Sequence, residues 1–272
     1  MEPALLREAA ALAEEGVACA LAVVAQATGS VPGKPGATML VAIDGTSKGT
    51  VGGAGLEERV KRLCIEAIRS GEGGVHAFDL AGWKEGALDS VCGGSVTVAI
   101  HVVRPVPHLL LIGGGHCSEA LARVCDVLRW SYTVVDSRPG YADEARFSRA
   151  RALATQAPAA FAREADLSRF SHAYVMGHSH HEDGDAVIAL LERGFAGHLG
   201  VIGSRSKLHA FRERAREAGL PGSAFDAVHS PIGLDVGAQT PPEIAVAVAA
   251  EIVQQIHRQK ALPPSRSTRV IS

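Results

Sequence analysis

The stretch LLLIGGGHCSEAL, residues 109–121, constrains the fold more than any other feature of the chain. It is an apolar run that breaks at three glycines and continues with helix-forming residues, which predicts a buried strand, a tight turn and a helix. Further strands are predicted over 131–136, 172–176 and 198–202, and helices over about 116–129, 183–193 and 205–218. Because strands that alternate with helices form parallel sheets, we expect a Rossmann-like α/β domain with helices on both faces of the sheet.

The first hundred residues have a different pattern. Residues 38–53 resemble two strands around Asp44-Gly45, a dipeptide typical of a hairpin turn, and residues 92–103 alternate apolar and polar side chains as a strand does. The two prolines of RPVPH, residues 104–108, mark the place where the pattern changes. We therefore expect a smaller α+β domain over residues 1–104, the Rossmann-like domain over 105–260 and a mobile tail over 261–272.

Charge and cysteine usage exclude several classes of protein. The net charge of −2 disfavours binding to nucleic acid, and apolar stretches such as VACALAVVA are about half as long as a membrane span. Glu2 and Glu8 against the single Arg7 give the N-terminus the wrong charge for a secretory signal. Five cysteines without a C-x-x-C pair argue against a disulfide framework and against a thiolate zinc site. The cytoplasm is the expected compartment.

The glycine turn has the residue types that bind a pyrophosphate or phosphate. Gly113 permits the tight turn, Gly115 lets the backbone approach an anion, and Ser118 fills the third small-residue position. The following helix N-terminus offers free N–H groups to an anion. Asp136, at the end of the next strand, could accept hydrogen bonds from ribose hydroxyls, whereas Arg138 could meet a ribose phosphate. The alternative is a strand-to-helix turn that belongs to the fold but binds no ligand. The candidate cofactor-binding residues of this domain are Gly113, Gly115, His116, Ser118, Asp136 and Arg138.

A histidine-rich segment, VMGHSHHEDGD (175–185), follows the strand predicted over 172–176. Carboxyl ends of parallel strands line the ligand crevice in doubly wound sheets, so His178 and His180 are candidate catalytic residues that could shuttle protons. Together with His181 and the carboxylates of Asp183 and Asp185 they could instead hold zinc or iron. The alternative is a solvated loop in which one of the aspartates caps the next helix. Metal binding therefore stays open.

The first domain contributes two further candidate sites. Cys92 precedes two glycines that would leave its sulfur approachable, and the alternative is an ordinary cysteine at the start of a strand. The segment GTVGGAGLEERV, residues 49–60, ends at a predicted helix, so Gly52 and Gly53 could cradle a phosphate, with Glu57 in the first helical turn. Tight turns of a compact domain explain the same glycines equally well.

Taken together, these blocks resemble a known family. TGSVPGKPGATMLV, GTVGGAGLEERV and VCGGSVTV in the first domain, and LLIGGGHCSEAL, VVDSRPGYADEARF, VMGHSHHEDGD and PIGLDVGAQTPPEIAVAVAAEI in the second, are similar to the XdhC/CoxI group of xanthine dehydrogenase accessory proteins. The resemblance implies a cofactor chaperone rather than an enzyme. Such a protein binds the molybdenum cofactor (molybdopterin) as cargo, and assists its sulfuration and its insertion into an apo-molybdoenzyme of the xanthine dehydrogenase class.

The same resemblance implies partners and a role for Cys92. It makes the apo-molybdoenzyme the expected partner, with a cysteine desulfurase as a further candidate partner, and a homodimer is the expected assembly. Cys92 would face the metal or pass sulfur.

Two departures from the family pattern stand out. Gly55 occupies the place where the family commonly has a cysteine, and Gly33 with Lys34 stands where it commonly has an arginine after the first proline. Two other functions remain open. One is an NAD(P)-dependent oxidoreductase that uses Asp136 for ribose and His178 or His180 as proton carrier. The other is a regulatory nucleotide sensor.

Overall fold

The computed structural model describes residues 2–80 and 94–258 of the chain. The chain divides into two compact units. One contains the described residues up to Pro105 together with residues 254–258, and the other contains Val106–Val253.

The first unit is built on an antiparallel sheet. Its elements are α1 (Pro3–Glu14), β1 (Cys19–Gly29), β2 (Thr38–Ala42), β3 (Ser47–Gly49), α2 (Ala54–Ser70), β4 (Gly74–Asp79) and β5 (Gly94–Val103). The strand order is β3-β2-β1-β5-β4, and every neighbouring pair is antiparallel. β1 is the central strand, in keeping with its continuous apolar sequence.

The two faces of β1 are covered by different helices. Ala20 and Ala22 belong to the core that also contains Val60 and Cys64 of α2, whereas Cys19 and Leu21 pack in a smaller cluster with residues of α1. This alternation follows from the two-residue repeat of a strand, which turns successive side chains to opposite faces. The hairpin predicted around Asp44 is present, because β2 and β3 pair across it.

The second unit is built on a parallel sheet flanked by helices. Its elements are β6 (His108–Ile112), α3 (His116–Leu128), β7 (Ser131–Asp136), β8 (Ala152–Thr155), α4 (Pro158–Glu164), β9 (His172–Val175), α5 (His180–Glu192), β10 (His198–Val201), α6 (Arg205–Glu217) and β11 (Val228–His229). Two 3-10 turns lie at Leu167–Arg169 and Gly222–Ala227. Helix α7 (Pro241–Arg258) follows, and at its start Glu243 accepts the backbone N–H of Thr240 at 2.9 Å, one of the two hydrogen bonds of a capping box.

The order of the parallel strands creates a crevice. The sheet runs β11-β10-β9-β6-β7-β8, so the chain moves outward in one direction from β6 and in the other from β9. Loops leave neighbouring strands in opposite directions at such a switch point, and ligands bind there in open α/β sheets. The crevice of this unit is therefore expected between the loops that follow β6 and β9.

The Rossmann-like parallel sheet and the smaller N-terminal part with an antiparallel sheet are confirmed. Among the described elements, β4, β8, α4 and β11 were not predicted from the sequence. β8, α4 and β11 have only four, seven and two residues, too few to show a period. Helix α5 begins at His180 rather than near residue 183, because Ser179 caps it by accepting the N–H of Glu182. None of the helices in the described part of the chain is long and apolar enough to cross a membrane.

Candidate functional site

The glycine turn brings the loops after β6 and β9 into contact. Gly113 has a φ of +96°, and a Cβ atom there would lie 2.6 Å from the Cα atom of Gly177. A side chain at Gly113 is therefore excluded by backbone conformation and by space. The turn places the start of α3 directly beside the end of β9, at the switch point of the sheet.

The next two glycines have different surroundings. A Cβ atom on Gly114 would lie 2.2 Å from the carbonyl oxygen of Tyr141, because the loop after β7 passes over the turn. A Cβ atom on Gly115 would meet nothing within 4 Å. Gly115 is the N-cap of α3 and has no side chain to accept the N–H groups of the first helical turn, so these groups face the space beside it.

Asp136 holds this turn to the end of β7. Its Oδ2 atom accepts the N–H of Gly114 at 2.7 Å and Nη2 of Arg138 at 2.7 Å, and its Oδ1 atom accepts the backbone N–H and Nε of Arg138, both at 2.9 Å. The side chain is 2% exposed. Burial raises the pKa of Asp136, but the hydrogen bonds from Arg138 and Gly114 outweigh burial and hold the pKa below its usual value.

Ser118 stabilises the turn from inside the helix. It is fully buried, and its hydroxyl donates to the carbonyl oxygen of Gly113. Of the predicted binding residues, Gly113, Ser118 and Asp136 thus shape the turn from within.

The other predicted cofactor-binding residues of this domain, Gly115, His116 and Arg138, line an open cleft of about 570 Å³ at the switch point. Its lining consists of Gly115, His116, Glu119, Arg138, Gly140, Tyr141, Arg146, Met176, Gly177 and His178. The structure therefore brings four predicted residues together, namely Gly115, His116, Arg138 and His178.

Two arginines give the cleft its charge. The guanidinium carbon of Arg138 lies 3.4 Å from the ring centroid of Tyr141, and that of Arg146 lies 5.1 Å from the same centroid. Arg146 also donates to Glu119 at 2.9 Å, and Glu119 accepts Arg123 at 2.6 Å. The hydrogen bond from Arg146 holds the pKa of Glu119 below its usual value. Glu119 therefore pairs with Arg146 and Arg123, and Asp136 pairs with Arg138, while the side chains of Arg138 and Arg146 line the cleft beside the positive end of α3.

The loop after β9 is held in place by a buried ion pair. Lys207 donates to Oδ2 of Asp183 at 2.7 Å and to the carbonyl oxygen of Ile202 at 3.1 Å. Asp183 is 2% exposed, and its Oδ1 atom would lie 2.0 Å from a Cβ atom on Gly177. This pair thus fixes the position of Gly177, which lines the cleft.

The predicted histidine cluster is dispersed. His178 lines the cleft, whereas the ring of His180 packs edge-on against Phe211 at 4.7 Å, and Nδ1 of His181 lies 2.9 Å from a carboxylate oxygen of Asp185. Within residues 2–80 and 94–258, no three His, Cys, Asp or Glu side chains are arranged to hold a metal ion. Of the two predicted proton carriers, His178 is therefore the one that faces the cleft.

The candidate residues of the first unit form a tight turn before α2. A Cβ atom on Gly52 would lie 2.3 Å from the backbone nitrogen of Gly33, and Gly53 is the N-cap of α2 with a φ of +127°. Glu57 accepts the hydroxyl of Thr50, which itself accepts the N–H of Gly52 at 3.1 Å. Gly52 and Glu57 thus have structural contacts of their own. Cys92 lies outside the described residues.

Sequence reasoning missed several residues that line the cleft. Arg146 and Tyr141 lie in the segment SRPGYADEARF directly after β7, and Glu119 lies one turn into α3. A signal was present, because a second arginine and an aromatic residue follow Arg138 in the loop that leaves the carboxyl end of a parallel strand. What the sequence could not show is that this loop folds back over Gly114.

The strand order, the switch point and the glycine turn define the second unit as a Rossmann-type domain. The comparison of the sequence with models of known protein families agrees with this assignment. Residues 109–252 match the model described as the XdhC Rossmann domain, and residues 12–79 match that of the XdhC and CoxI family. The chain belongs to the XdhC family, which confirms the resemblance found in its sequence.

Individual relatives extend this comparison. An uncharacterized Escherichia coli (strain K12) protein, YqeB, is 32% identical over 250 residues, which cover 92% of this chain and 46% of YqeB. A protein of Bacillus subtilis (strain 168), described as a probable subunit of xanthine dehydrogenase, is 32% identical over 155 residues, 57% of this chain and 44% of that protein. This chain thus spans less than half the length of either curated relative.

A solved structure shares the fold. The crystal structure of a xanthine dehydrogenase from Bacillus halodurans superimposes with a TM-score of 0.51 at 20% identity, covering 96% of this chain and 98% of that one.

Proposed function

We propose that this protein acts in the maturation of a xanthine dehydrogenase-type molybdoenzyme: it binds the molybdenum cofactor as cargo, and assists its sulfuration and its insertion into the apo-enzyme. Membership of the XdhC family and the similarity to a probable subunit of xanthine dehydrogenase support this assignment. The structural observation that carries it is the cleft at the start of α3, where two arginines and uncapped N–H groups meet.

The chemistry of the cleft suits the phosphate that molybdopterin carries. Backbone N–H groups at a helix N-terminus and the positive helix dipole stabilise a phosphate, and arginine matches its geometry with paired donors. Gly115 leaves room for the phosphate to approach these groups. The residues of the cleft thus fit the phosphate end of the cargo.

The remaining roles of the chain follow from what such cargo needs. When bound, the cofactor supplies the molybdenum centre that the partner enzyme will use. His178, at the rim of the cleft, is placed to exchange a hydrogen bond or a proton with the ligand. Cys92 is proposed to face the metal or the sulfur, with a cysteine desulfurase as the sulfur donor. A homodimer and the cytoplasm are the proposed assembly and compartment.

The test begins with the protein purified from a host that makes the molybdenum cofactor. Molybdenum and released pterin are quantified per chain, alongside nucleotides. We expect close to one pterin per chain, and we expect the loaded protein to restore activity to a xanthine dehydrogenase-type enzyme depleted of its cofactor. A purified protein with nicotinamide nucleotide and no pterin, which leaves the depleted enzyme inactive, would overturn the proposal.

A second candidate is an NAD(P)-dependent oxidoreductase. The observation that favours it is the position of His178, an exposed proton carrier in the cleft of a Rossmann-type domain. An oxidoreductase would consume reduced nicotinamide with an aldehyde or ketone, whereas a chaperone would not. A nucleotide sensor would bind nucleotide and change only its state of association.

A further inference from the structure

The carboxylate of Asp136 has no capacity left for a ribose. A carboxylate has about four lone-pair sites for hydrogen bonds. Both oxygens of Asp136 already accept two hydrogen bonds each, three from Arg138 and one from Gly114. The side chain is also 2% exposed. In dinucleotide-binding Rossmann domains the acidic residue at this place accepts the ribose hydroxyls, so the step that selects an ordinary nucleotide is blocked here.

Arg138 is held in one orientation by the same contacts. Its Nε and Nη2 atoms donate to Asp136, and its guanidinium carbon lies 3.4 Å from the ring centroid of Tyr141. Within the described part of the chain, no residue accepts a hydrogen bond from Nη1. The side chain of Arg138 is 26% exposed and lines the cleft, so its unused donors are available to a ligand there. A guanidinium fixed in this way loses little side-chain entropy when it binds an anion.

Arg146 contacts the same aromatic ring as Arg138. It is 23% exposed and lines the cleft, and Arg123 shares the carboxylate to which it is paired. Both arginines and the start of α3 line the same cleft, where they can donate hydrogen bonds to a compact anion. A phosphomonoester suits this arrangement because it carries up to two charges on three terminal oxygens.

We propose that the cleft selects its ligand by a dianionic phosphomonoester and not by a ribose diol. Arg138 and Arg146 are the specificity-determining residues, and Asp136 is a positioning residue that acts through Arg138. This inference rests on the proposed function, since both concern the same cleft. The phosphomonoester has two possible sources: the terminal phosphate of a pterin cofactor, or the 2′-phosphate of an NADP-type nucleotide.

The test compares ligands that differ only in the phosphomonoester. Binding of NADP⁺ and NAD⁺ to the full-length protein, freed of bound ligand, is measured by calorimetry. Ribose 5-phosphate and ribose are then used as competitors. We expect NADP⁺ to bind at least about tenfold more tightly than NAD⁺, as a charged hydrogen-bonded pair predicts. Equal affinities, or no binding of either nucleotide, would overturn the inference.

The competitors identify the source. If ribose 5-phosphate displaces NADP⁺ and ribose does not, the phosphate alone is sufficient, as a pterin ligand requires. If ribose 5-phosphate fails to compete, the ligand is a nucleotide with a 2′-phosphate. Both results support selection by a phosphomonoester.

Two variants test the assigned residues. Arg138→Met alone would leave a buried carboxylate unpaired, so it is combined with Asp136→Asn; Arg146→Gln is made separately because Arg123 still pairs with Glu119. Each should reduce the NADP⁺ affinity by roughly 10- to 100-fold and reduce the NADP⁺/NAD⁺ ratio, which a merely structural role would leave unchanged. Arg163→Gln removes an exposed arginine of the same unit outside the cleft lining, and should bind NADP⁺ as the wild type does. An unchanged ratio in both cleft variants would overturn the assignment of these residues.

This experiment separates the two proposals. Selective NADP⁺ binding by a protein that purifies without pterin would contradict only the proposed function. Purification with pterin combined with equal affinities for NADP⁺ and NAD⁺ would contradict only the selection by a phosphomonoester.

Discussion

The carboxylate of Asp136 accepts the backbone N–H of Gly114 at 2.7 Å, and this hydrogen bond ties the end of β7 to the turn after β6. The same carboxylate holds Arg138, so one buried group fixes both the backbone that meets an anion and the cation that neutralises it. The cleft is therefore organised before any ligand binds. Preorganised donors need little reordering on binding, which raises affinity for a given set of contacts.

Gly115 offers a substitution that separates binding from stability. Its φ of −76° and ψ of −174° suit any residue, and a Cβ atom there would project into open space beside α3. Gly115→Leu is expected to fold with a melting temperature close to that of the wild type and to lose ligand binding, because its side chain fills the space of the anion. Thermal unfolding and pterin content per chain check the two parts. A variant that retains its pterin would show that the anion binds elsewhere.

Gly113→Ala provides the converse case. The positive φ and the 2.6 Å approach to Gly177 exclude a methyl group without movement of the backbone. We expect the free energy of unfolding to fall by about 1–3 kcal/mol, the usual range for a strained backbone or an overpacked site. Urea unfolding measures this loss, with Gly140→Ala as the matched control. Gly140 also has a positive φ, of +76°, but a Cβ atom there meets nothing within 4 Å, so its loss should be smaller. Equal losses of stability in the two variants would mean that the close approach to Gly177 does not contribute to the loss at Gly113.

The buried ion pair of Lys207 and Asp183 predicts that the stability lost on replacing Lys207 depends on whether Asp183 is still charged. Lys207→Met leaves Asp183, which is 2% exposed, without its cation, and such losses destabilise proteins by about 3–5 kcal/mol. Combining Lys207→Met with Asp183→Asn removes the uncompensated charge and should recover much of that stability. A double-mutant cycle by urea unfolding measures the coupling. Additive effects of the two substitutions would contradict a direct ion pair.

The cleft residues illustrate how far the sequence determines the site. Gly113, Gly115 and Arg138 lie beside a strand-to-helix turn that is recognisable from local pattern, so their neighbourhood could be predicted. Arg146 could not, because its approach to Tyr141 depends on a loop without a repeating pattern that folds back over Gly114. Local periodicity predicts elements, whereas contacts between loops depend on tertiary packing.

The histidines also show that sequence alone does not determine which side chains meet. A cluster in sequence, His178 with His180 and His181, is dispersed in space because Ser179 begins a helix. Successive residues of a helix point about 100° apart, so neighbours in sequence face different surroundings. His180 accordingly meets Phe211, while His178 lies before the helix and lines the cleft. The parallel sheet was predictable because strands alternate with helices in this half of the sequence.

Cys92 provides a test of the proposed sulfur chemistry that is independent of the cleft. If its thiolate faces the metal or the sulfur, Cys92→Ser should abolish activation of a depleted xanthine dehydrogenase-type enzyme while pterin content per chain stays near that of the wild type. Cys64→Ser is a contrasting variant, because Cys64 is fully buried and burial raises its thiol pKa to about 12. Cys64→Ser should retain activation once its stability has been taken into account. Full activation by Cys92→Ser would remove Cys92 from the mechanism.

His108 makes the second unit sensitive to acid. It is 2% exposed, its Nε2 atom lies 3.0 Å from the hydroxyl of Thr133, and its ring packs edge-on against Phe170. Burial, with smaller contributions from Arg151 and Arg169, lowers the pKa of His108 from 6.5 to about 4. Between about pH 6.5 and pH 4, His108 is therefore protonated in the unfolded chain but mostly neutral in the folded protein.

The sign of the resulting pH dependence follows directly. Since the folded pKa is the lower one, the free energy of unfolding falls as the pH drops from about 6.5 towards 4, and this contribution becomes constant below 4. Between pH 7 and pH 5 the loss due to His108 is about 2 kcal/mol. His108→Gln should reduce the pH 7 to pH 5 difference by that amount, whatever its effect on stability at pH 7, as urea unfolding at the two pH values would measure. If His108→Gln loses as much stability as the wild type over this interval, the acid sensitivity arises from other groups.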